Sequence, residues 1–128
     1  MSSTLDSLTK ILNKLNETGR VKASIVATEE GFVIASAVQR GVDEKVAAAM
    51  GSFVHSAADR AKDELALGAI RDITIRCEKG TLVCKSTDLQ DGRPVVLAAL
   101  VSRDTRFFLR AVNNALREVK VALKELDI

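Results

Sequence analysis

Few residues in this sequence have the types and spacing that chemistry requires. The chain has two cysteines and one histidine, and the spacing of Cys77 and Cys84 matches no common pattern of zinc ligands. We interpret both cysteines as small buried side chains in strands. His55 lies near Ser52 and Ser56 on one predicted helix, but such neighbours are common by chance, so we predict no nucleophile–base pair.

One short phrase occurs twice in similar form, and its first copy contains a pair of glutamates. The chain reads TEEGFVIAS at residues 28–36 and CEKGTLVCK at residues 77–85. A hairpin loop of about three residues favours a type I turn followed by a left-handed residue, which both phrases fit at their glycine. We predict hairpin turns at 29–31, 78–80 and also 90–94, and no catalytic role for the glutamates.

The composition excludes several classes of function. The glycines are scattered at turns and form no phosphate-binding loop, so we predict no catalytic residue, cofactor or metal ligand. A net charge of +2 gives no electrostatic basis for binding nucleic acid. The longest uncharged apolar run, residues 95–101, is far shorter than the roughly 20 residues of a membrane span. Because no signal peptide is visible, we expect a cytoplasmic protein.

Hydrophobic periodicity predicts three helices and five strands. The predicted helices cover residues 3–19, with Gly19 as a left-handed C-cap, 42–67, with Asp43 as the N-cap, and 105 to about 126. The predicted strands cover residues 21–27, 32–38, 72–77, 81–86 and 95–101. The last strand has no polar residue on either side and is typical of a central strand, whereas the charged stretch RDITIRC is typical of an edge.

The middle helix has a wider apolar arc than one buried face requires. Val46, Met50 and Phe53 share one side of the arc, and small residues widen it. Small side chains let another backbone approach closely. The side of the arc formed by small residues, which we call the small flank, therefore predicts contact with a partner protein. Packing on the chain's own sheet is the alternative. The partner-binding residues predicted on this helix are Ala47, Gly51, Val54 and Ala58.

The order helix, strand, strand, helix, three strands, helix resembles the roadblock / dynein light chain 7 family. The EEGFVIAS phrase and the alanine-rich middle helix carry the likeness, which extends from Leu5 to Leu126. It implies an α+β fold with a five-stranded antiparallel sheet in the order 2-1-5-4-3. The middle helix would cover one face and the other two helices the opposite face, in a single domain over residues 1–128 similar to bacterial and archaeal members.

The resemblance also implies a function. Members form dimers that act as platforms for small Ras-like GTPases, so the chain is expected to be a non-enzymatic homodimeric scaffold or regulator that modulates a partner's GTP hydrolysis. Ala47 and Gly51 match a small-residue pair that contributes to the GTPase-binding surface in prokaryotic members. Two alternatives stay open: a small-molecule-sensing domain and a dynein-type light-chain subunit.

In this family the third strand of each subunit can pair with its copy. A two-fold axis requires a self-complementary strand. When the axis is centred on Thr74, Ile73 faces Ile75 of the second copy and Asp72 faces Arg76, so apolar and oppositely charged pairs both form. The sequence therefore predicts a dimer edge over residues 72–76, although the same charges are also typical of an edge protected against pairing.

Overall fold

Three helices and five strands follow one another in the predicted order. The computed structural model describes residues 3–106 and 108–126. The helices are α1 (Ser3–Thr18), α2 (Glu44–Glu64) and α3 (Phe108–Leu126), and the strands are β1 (Val21–Thr28), β2 (Val33–Val38), β3 (Ile73–Cys77), β4 (Gly80–Asp88) and β5 (Pro94–Ser102). α3 begins at Phe108 rather than at the predicted Thr105.

The strands form one antiparallel sheet of five strands in the order β2-β1-β5-β4-β3, which confirms the predicted topology. β5 is the central strand, and residues 95–99 are buried on both faces of it, as its unbroken apolar sequence predicts. β3 pairs only with β4, so its other side is an open edge within the described chain. The charged sequence of β3 therefore lies at an edge, as predicted.

The turn between β1 and β2 has the predicted three-residue geometry. The Thr28 N–H donates to the Phe32 carbonyl oxygen at 2.9 Å, and Gly31 has a φ of 97°, which a residue with a Cβ rarely adopts. The turn between β4 and β5 repeats this arrangement with Gly92 at a φ of 89°. Both turns thus close through a left-handed glycine.

The turn between β3 and β4 differs, and the prediction of a three-residue loop there is wrong. Cys77 pairs directly with Gly80, so only residues 78–79 form the loop. Gly80 belongs to β4, and a Cβ on it would lie 3.2 Å from the carbonyl oxygen of Val101. The glycine at this position allows close approach of β4 to β5. Comparison of the two sequence phrases could not distinguish this role from that of a turn glycine.

The end of α1 corrects a second prediction about glycine. The left-handed residue is Arg20, with a φ of 53°, and not Gly19. A Cβ on Gly19 would lie 3.0 Å from the Cβ of Ala111 on α3. The glycine therefore allows close contact between two helices, and the adjacent arginine takes the backbone conformation that reverses the chain.

The helices cover the two faces of the sheet as predicted. α1 and α3 pack together on one face, and their buried side chains form the larger core with inward residues of the strands. The fully buried members of this core include Leu8, Leu12, Val26, Val112 and Val119. α2 lies on the other face over two smaller clusters. The two faces therefore differ, since only the α2 face is covered by a single helix.

Candidate functional site

Polar contacts hold α2 at three points along its length, of which the first caps the helix and the other two reach the sheet. Asp43 is the N-cap, as predicted, and its carboxylate accepts the N–H groups of Lys45 and Val46 at 3.0 and 3.2 Å. Further along, the Ser52 hydroxyl donates to the Thr28 carbonyl oxygen at 2.8 Å. His55 follows on the same side of the helix and is itself buried.

The His55 ring makes the third contact. Its Nε2 lies 3.0 Å from Oγ of Ser86 on β4. Among the described residues, no carboxylate is hydrogen-bonded to the other ring nitrogen, and none of the described grooves is lined by either residue. This arrangement attaches a helix to a sheet and lacks the orienting group and substrate cleft of a nucleophile–base pair.

The small flank of α2 faces the chain's own sheet. Gly51 is buried, and a Cβ on it would lie 2.9 Å from the Cβ of Ala98 on β5. The prediction that Gly51 contacts a partner is therefore wrong, because the sheet of its own chain already occupies that space. Ala47 and Val54 are half-buried against the same face, and Ala58 is also half-buried. The alternative of packing within the chain explains the small residues.

The opposite side of α2 is apolar and exposed. Val46 is 55% exposed, Met50 50% and Phe53 70%, and at 100° per residue these three share one side of the helix. Large apolar side chains on one side of a helix predict a side that faces the core. The structure reverses this prediction, because the helix approaches the sheet through Ala48, Gly51 and other small or hydrogen-bonded residues instead.

Phe32, directly after the β1–β2 turn, is a further exposed apolar residue. Its exposure is 70%, and the preceding residue, Gly31, packs on α2, where a Cβ would lie 3.3 Å from Cα of Ala49. We call the set Phe32, Val46, Met50 and Phe53 the α2 patch. Sequence reasoning missed Phe32 because its alternation in a strand-like run resembles that of a core residue. The only available signal was its place directly after a turn glycine.

The predicted dimer residues lie along the free edge next to α2. Ile73 is half-buried and packs in the cluster under α2, whereas Ile75 is 38% exposed. Because side chains alternate along a strand, Ile75 points to the α2 face as Ile73 does, and Thr74 and Arg76 point to the other. Asp72 lies just before the strand, and its carboxylate accepts the Thr74 hydroxyl at 3.1 Å.

The two cysteines lie in different environments. Cys84 is fully buried, as predicted, and burial raises the pKa of its thiol to about 11. Cys77 at the end of β3 is exposed, so the prediction that it is buried is wrong. Edge position explains the difference, since one side of β3 has no neighbouring strand to cover it.

The described residues hold neither a metal-ligand cluster nor a helix that could cross a membrane. Within residues 3–106 and 108–126, no three or more His, Cys, Asp or Glu side chains come together as a metal site would require. No helix in the same ranges has the length and hydropathy of a membrane span.

The fold, the capped middle helix and the turn phrase define the class to which this chain belongs. The Roadblock/LC7 domain family profile matches residues 8–89. The chain belongs to the Roadblock/LC7 family. Uncharacterized protein MJ0714 of Methanocaldococcus jannaschii is 35% identical over 88 residues, which cover 69% of this chain and 73% of the relative. Protein MJ0310 of the same organism is 34% identical over 88 residues, or 69% and 75% of the two chains.

Solved structures share the fold at low sequence identity. Myxococcus xanthus MglB has a TM-score of 0.82 at 16% identity, with 95% of this chain and 91% of that chain covered. The gliding protein MglB of Thermus thermophilus gives 0.83 at 10% identity, covering 98% and 94%. A Roadblock/LC7 domain from Streptomyces avermitilis gives 0.65 at 16% identity, covering 92% of each chain.

Proposed function

We propose that this chain is a non-enzymatic, cytoplasmic scaffold that forms a homodimer and binds a small Ras-like GTPase, whose GTP hydrolysis it modulates. Family membership and the sequence analysis supply the class of partner. The observation that carries the proposal is the α2 patch, an exposed apolar surface on one side of α2. Aromatic residues and methionine are enriched in the cores of protein interfaces, and a contiguous apolar surface indicates a binding site.

The edge strand supports the proposed dimer. If β3 pairs with its copy around Thr74, Ile73 and Ile75 of both copies meet on the α2 face, because both side chains point to that face. Asp72 and Arg76 of opposite copies then meet on the other face. A single continuous sheet results, and both α2 helices lie on one side of it.

This arrangement explains how one GTPase would be held. Two α2 patches on the same face of a joined sheet make a larger apolar surface than either copy offers alone. Standard protein interfaces bury about 1,600 Å² in total, which one exposed helix side does not provide by itself. The half-buried residues Ala47, Val54 and Ala58 lie along the margins of this surface in our proposal, whereas Gly51 acts only by keeping α2 close to its sheet.

The small-molecule-sensing alternative receives no support from the interior. A ligand site needs a few polar groups that converge on a cavity. Among the described residues, every buried side-chain nitrogen and oxygen already has a hydrogen-bond partner within the chain. No buried polar group among them is therefore left to orient a small ligand. The dynein-type alternative shares this fold and differs from the proposal in the partner alone.

The proposal is tested by binding of the Ras-like GTPases of the source organism, beginning with any that is encoded near the gene for this chain. The GTPase is loaded with a non-hydrolysable GTP analogue and titrated with the parent protein and with Phe53→Asp. Because Phe53 is largely exposed, Phe53→Asp should remain folded, and we expect about a tenfold or greater loss of affinity, as for an interface hot spot. Circular dichroism and thermal unfolding check the fold.

A matched control places the same charge on another exposed apolar residue. Val38, at the end of β2, is 37% exposed and lies at the sheet edge opposite β3. Val38→Asp is expected to bind as the parent does. Equal affinities for parent and Phe53→Asp would contradict the α2 patch as the binding surface. Tight binding of GTP to this chain alone would contradict the scaffold role.

A further inference from the structure

A long groove runs over the outer side of the other helical layer, between α1 and α3. Its middle section, beside Leu15, is a depression of about 280 Å³, and its upper section, beside Val121 near the end of α3, is a depression of about 400 Å³. Ile11 and Glu118 line both sections. A third depression of about 390 Å³ continues from the middle section through Thr18. The groove therefore follows α3 over most of its length.

The floor of the groove is apolar. Ile11 and Leu15 of α1 and Ala111 and Ala115 of α3 line the middle section. Val121, which is 62% exposed, lines the upper section. The distance along α3 from Arg110 to Glu125 is about 22 Å at 1.5 Å per residue, which matches about four turns of a docked helix. A surface between two antiparallel helices with this floor fits the apolar side of a third.

The charges are distributed unevenly along the groove. Arg20 and Arg106 line its lower end, where α1 ends and α3 begins, and Arg110 lines the adjoining part of the middle section. None of these three arginines forms an ion pair or side-chain hydrogen bond with another described residue, whereas Lys14 of the middle section is paired with Glu118 at 3.5 Å. Asp104 also lines the lower end, but its carboxylate is paired with Arg103 at 3.6 Å. Guanidinium groups that lack a partner within the chain are complementary to carboxylates, which they bind in bidentate geometry.

We propose that this groove binds an amphipathic helix of a partner protein, with the acidic end of that helix on Arg20, Arg106 and Arg110. The apolar side of the helix packs on Ile11, Ala111 and Val121. A protein segment fits better than a lipid surface because the arginines lie at the end of a concave groove, whose middle and upper sections carry the apolar residues, and not on a flat face. The groove lies on the face of the sheet opposite α2, so a partner bound here leaves the α2 patch free.

The test uses two synthetic helical peptides of about 18 residues, both with leucines at helical spacing. The acidic peptide has three glutamates at one end, and the basic peptide has three lysines in the same places. Binding of each to the full chain is measured by fluorescence anisotropy at low salt. We expect the acidic peptide to bind at least about tenfold more tightly, and we expect its affinity to fall as salt screens the charges.

Two double variants with equal changes in net charge locate the site. Arg106→Glu with Arg110→Glu reverses the charge of the lower end, and we expect about a tenfold or greater loss for the acidic peptide and a gain for the basic peptide. Arg40→Glu with Lys79→Glu places the same change in exposed loops outside the groove, and we expect no selective effect. Val121→Glu should weaken binding of both peptides, because it removes an exposed apolar contact from the floor.

Several results would overturn the proposal. The first is equal affinity of the two peptides, and the second is an equal loss in both double variants. The third is binding to vesicles of phosphatidylserine and phosphatidylcholine without binding to the acidic peptide, which would make this end a lipid contact. GTPase binding measured on the same variants separates this proposal from the α2 patch, since we expect the groove variants to retain it.

Discussion

Gly51 of α2 lies so close to Ala98 of β5 that a Cβ on the glycine would be 2.9 Å from the Cβ of the alanine. Cβ atoms do not approach one another so closely in folded proteins, and neither atom belongs to a flexible side chain that could turn away. This contact sets the height of α2 above the sheet. It also determines which side of the helix is exposed, and hence where the α2 patch lies.

The first prediction concerns this contact. Gly51→Ala should destabilise the chain by about 1 to 2 kcal/mol, because overpacking costs more than the roughly 1 kcal/mol that alanine gains in a helix. Urea unfolding measures the change. Ala98→Gly in the same chain should recover part of the loss, and a double-mutant cycle with no coupling would contradict the contact. Gly51→Arg is expected to disrupt folding rather than association alone.

The residue pattern predicted the fold correctly but indicated the wrong buried side of α2. The residues on the exposed side of this helix show why. Val46, Met50 and Phe53 are the larger apolar residues, and burial of large apolar side chains is the usual rule. Here the sheet residues under the helix include alanines, so the helix can approach the sheet closely through Gly51 and Ala48. This approach buries backbone rather than large side chains. The residue pattern of one helix gives no information about the size of the side chains that it packs against, because those side chains belong to strands far away in the sequence.

The turns show the same limit on a smaller scale. The phrases at 28–36 and 77–85 have a glycine in the same place, yet Gly31 has a φ of 97° and Gly80 is a strand residue that approaches Val101. The strand order, by contrast, was predicted correctly because the family resemblance implies it, and the apolar central strand and the charged edge strand agree with it. Local patterns thus identified the elements, whereas the close contacts between elements depended on tertiary packing.

The second prediction concerns the buried thiol of Cys84, which is fully buried. Burial raises its pKa from 9.0 to about 11, so the folded chain holds this proton more tightly than the unfolded chain does. Its contribution to stability is complete below about pH 9 and is lost as the pH rises to about 11, with a total effect of about 2 to 3 kcal/mol. Urea unfolding across this range should show the decline, and Cys84→Ala should show a smaller one.

The third prediction concerns a polar contact that joins α1 to two strands. The Asn16 side chain donates to the Ala37 carbonyl oxygen at 2.8 Å and accepts the hydroxyl of the fully buried Ser24 at 2.7 Å. Asn16→Ala removes both bonds, and we expect a loss of about 1 to 3 kcal/mol in the free energy of unfolding. Asn13→Ala, on the exposed side of the same helix, is the control and should change stability far less.

The last prediction concerns the register of the proposed dimer. In that register Asp72 of each copy faces Arg76 of the other, and both residues are exposed, Asp72 just before the start of the edge strand and Arg76 near its end. Asp72→Arg would place two arginines opposite each other at two symmetric points. Like charges in facing positions are unfavourable by about 0.2 to 1 kcal/mol per pair, so we expect the dimer to dissociate several-fold more readily at low salt.

The compensating change distinguishes this register from a general effect of charge. Asp72→Arg with Arg76→Asp restores opposite charges in both facing pairs, and we expect the dimer to regain the parent's dissociation constant in analytical ultracentrifugation. Asp72 also accepts the Thr74 hydroxyl within its own chain, so Asp72→Ala serves as the control for loss of that bond. If Asp72→Arg dimerises as tightly as the parent, or if the double variant fails to recover, the strands do not pair around Thr74.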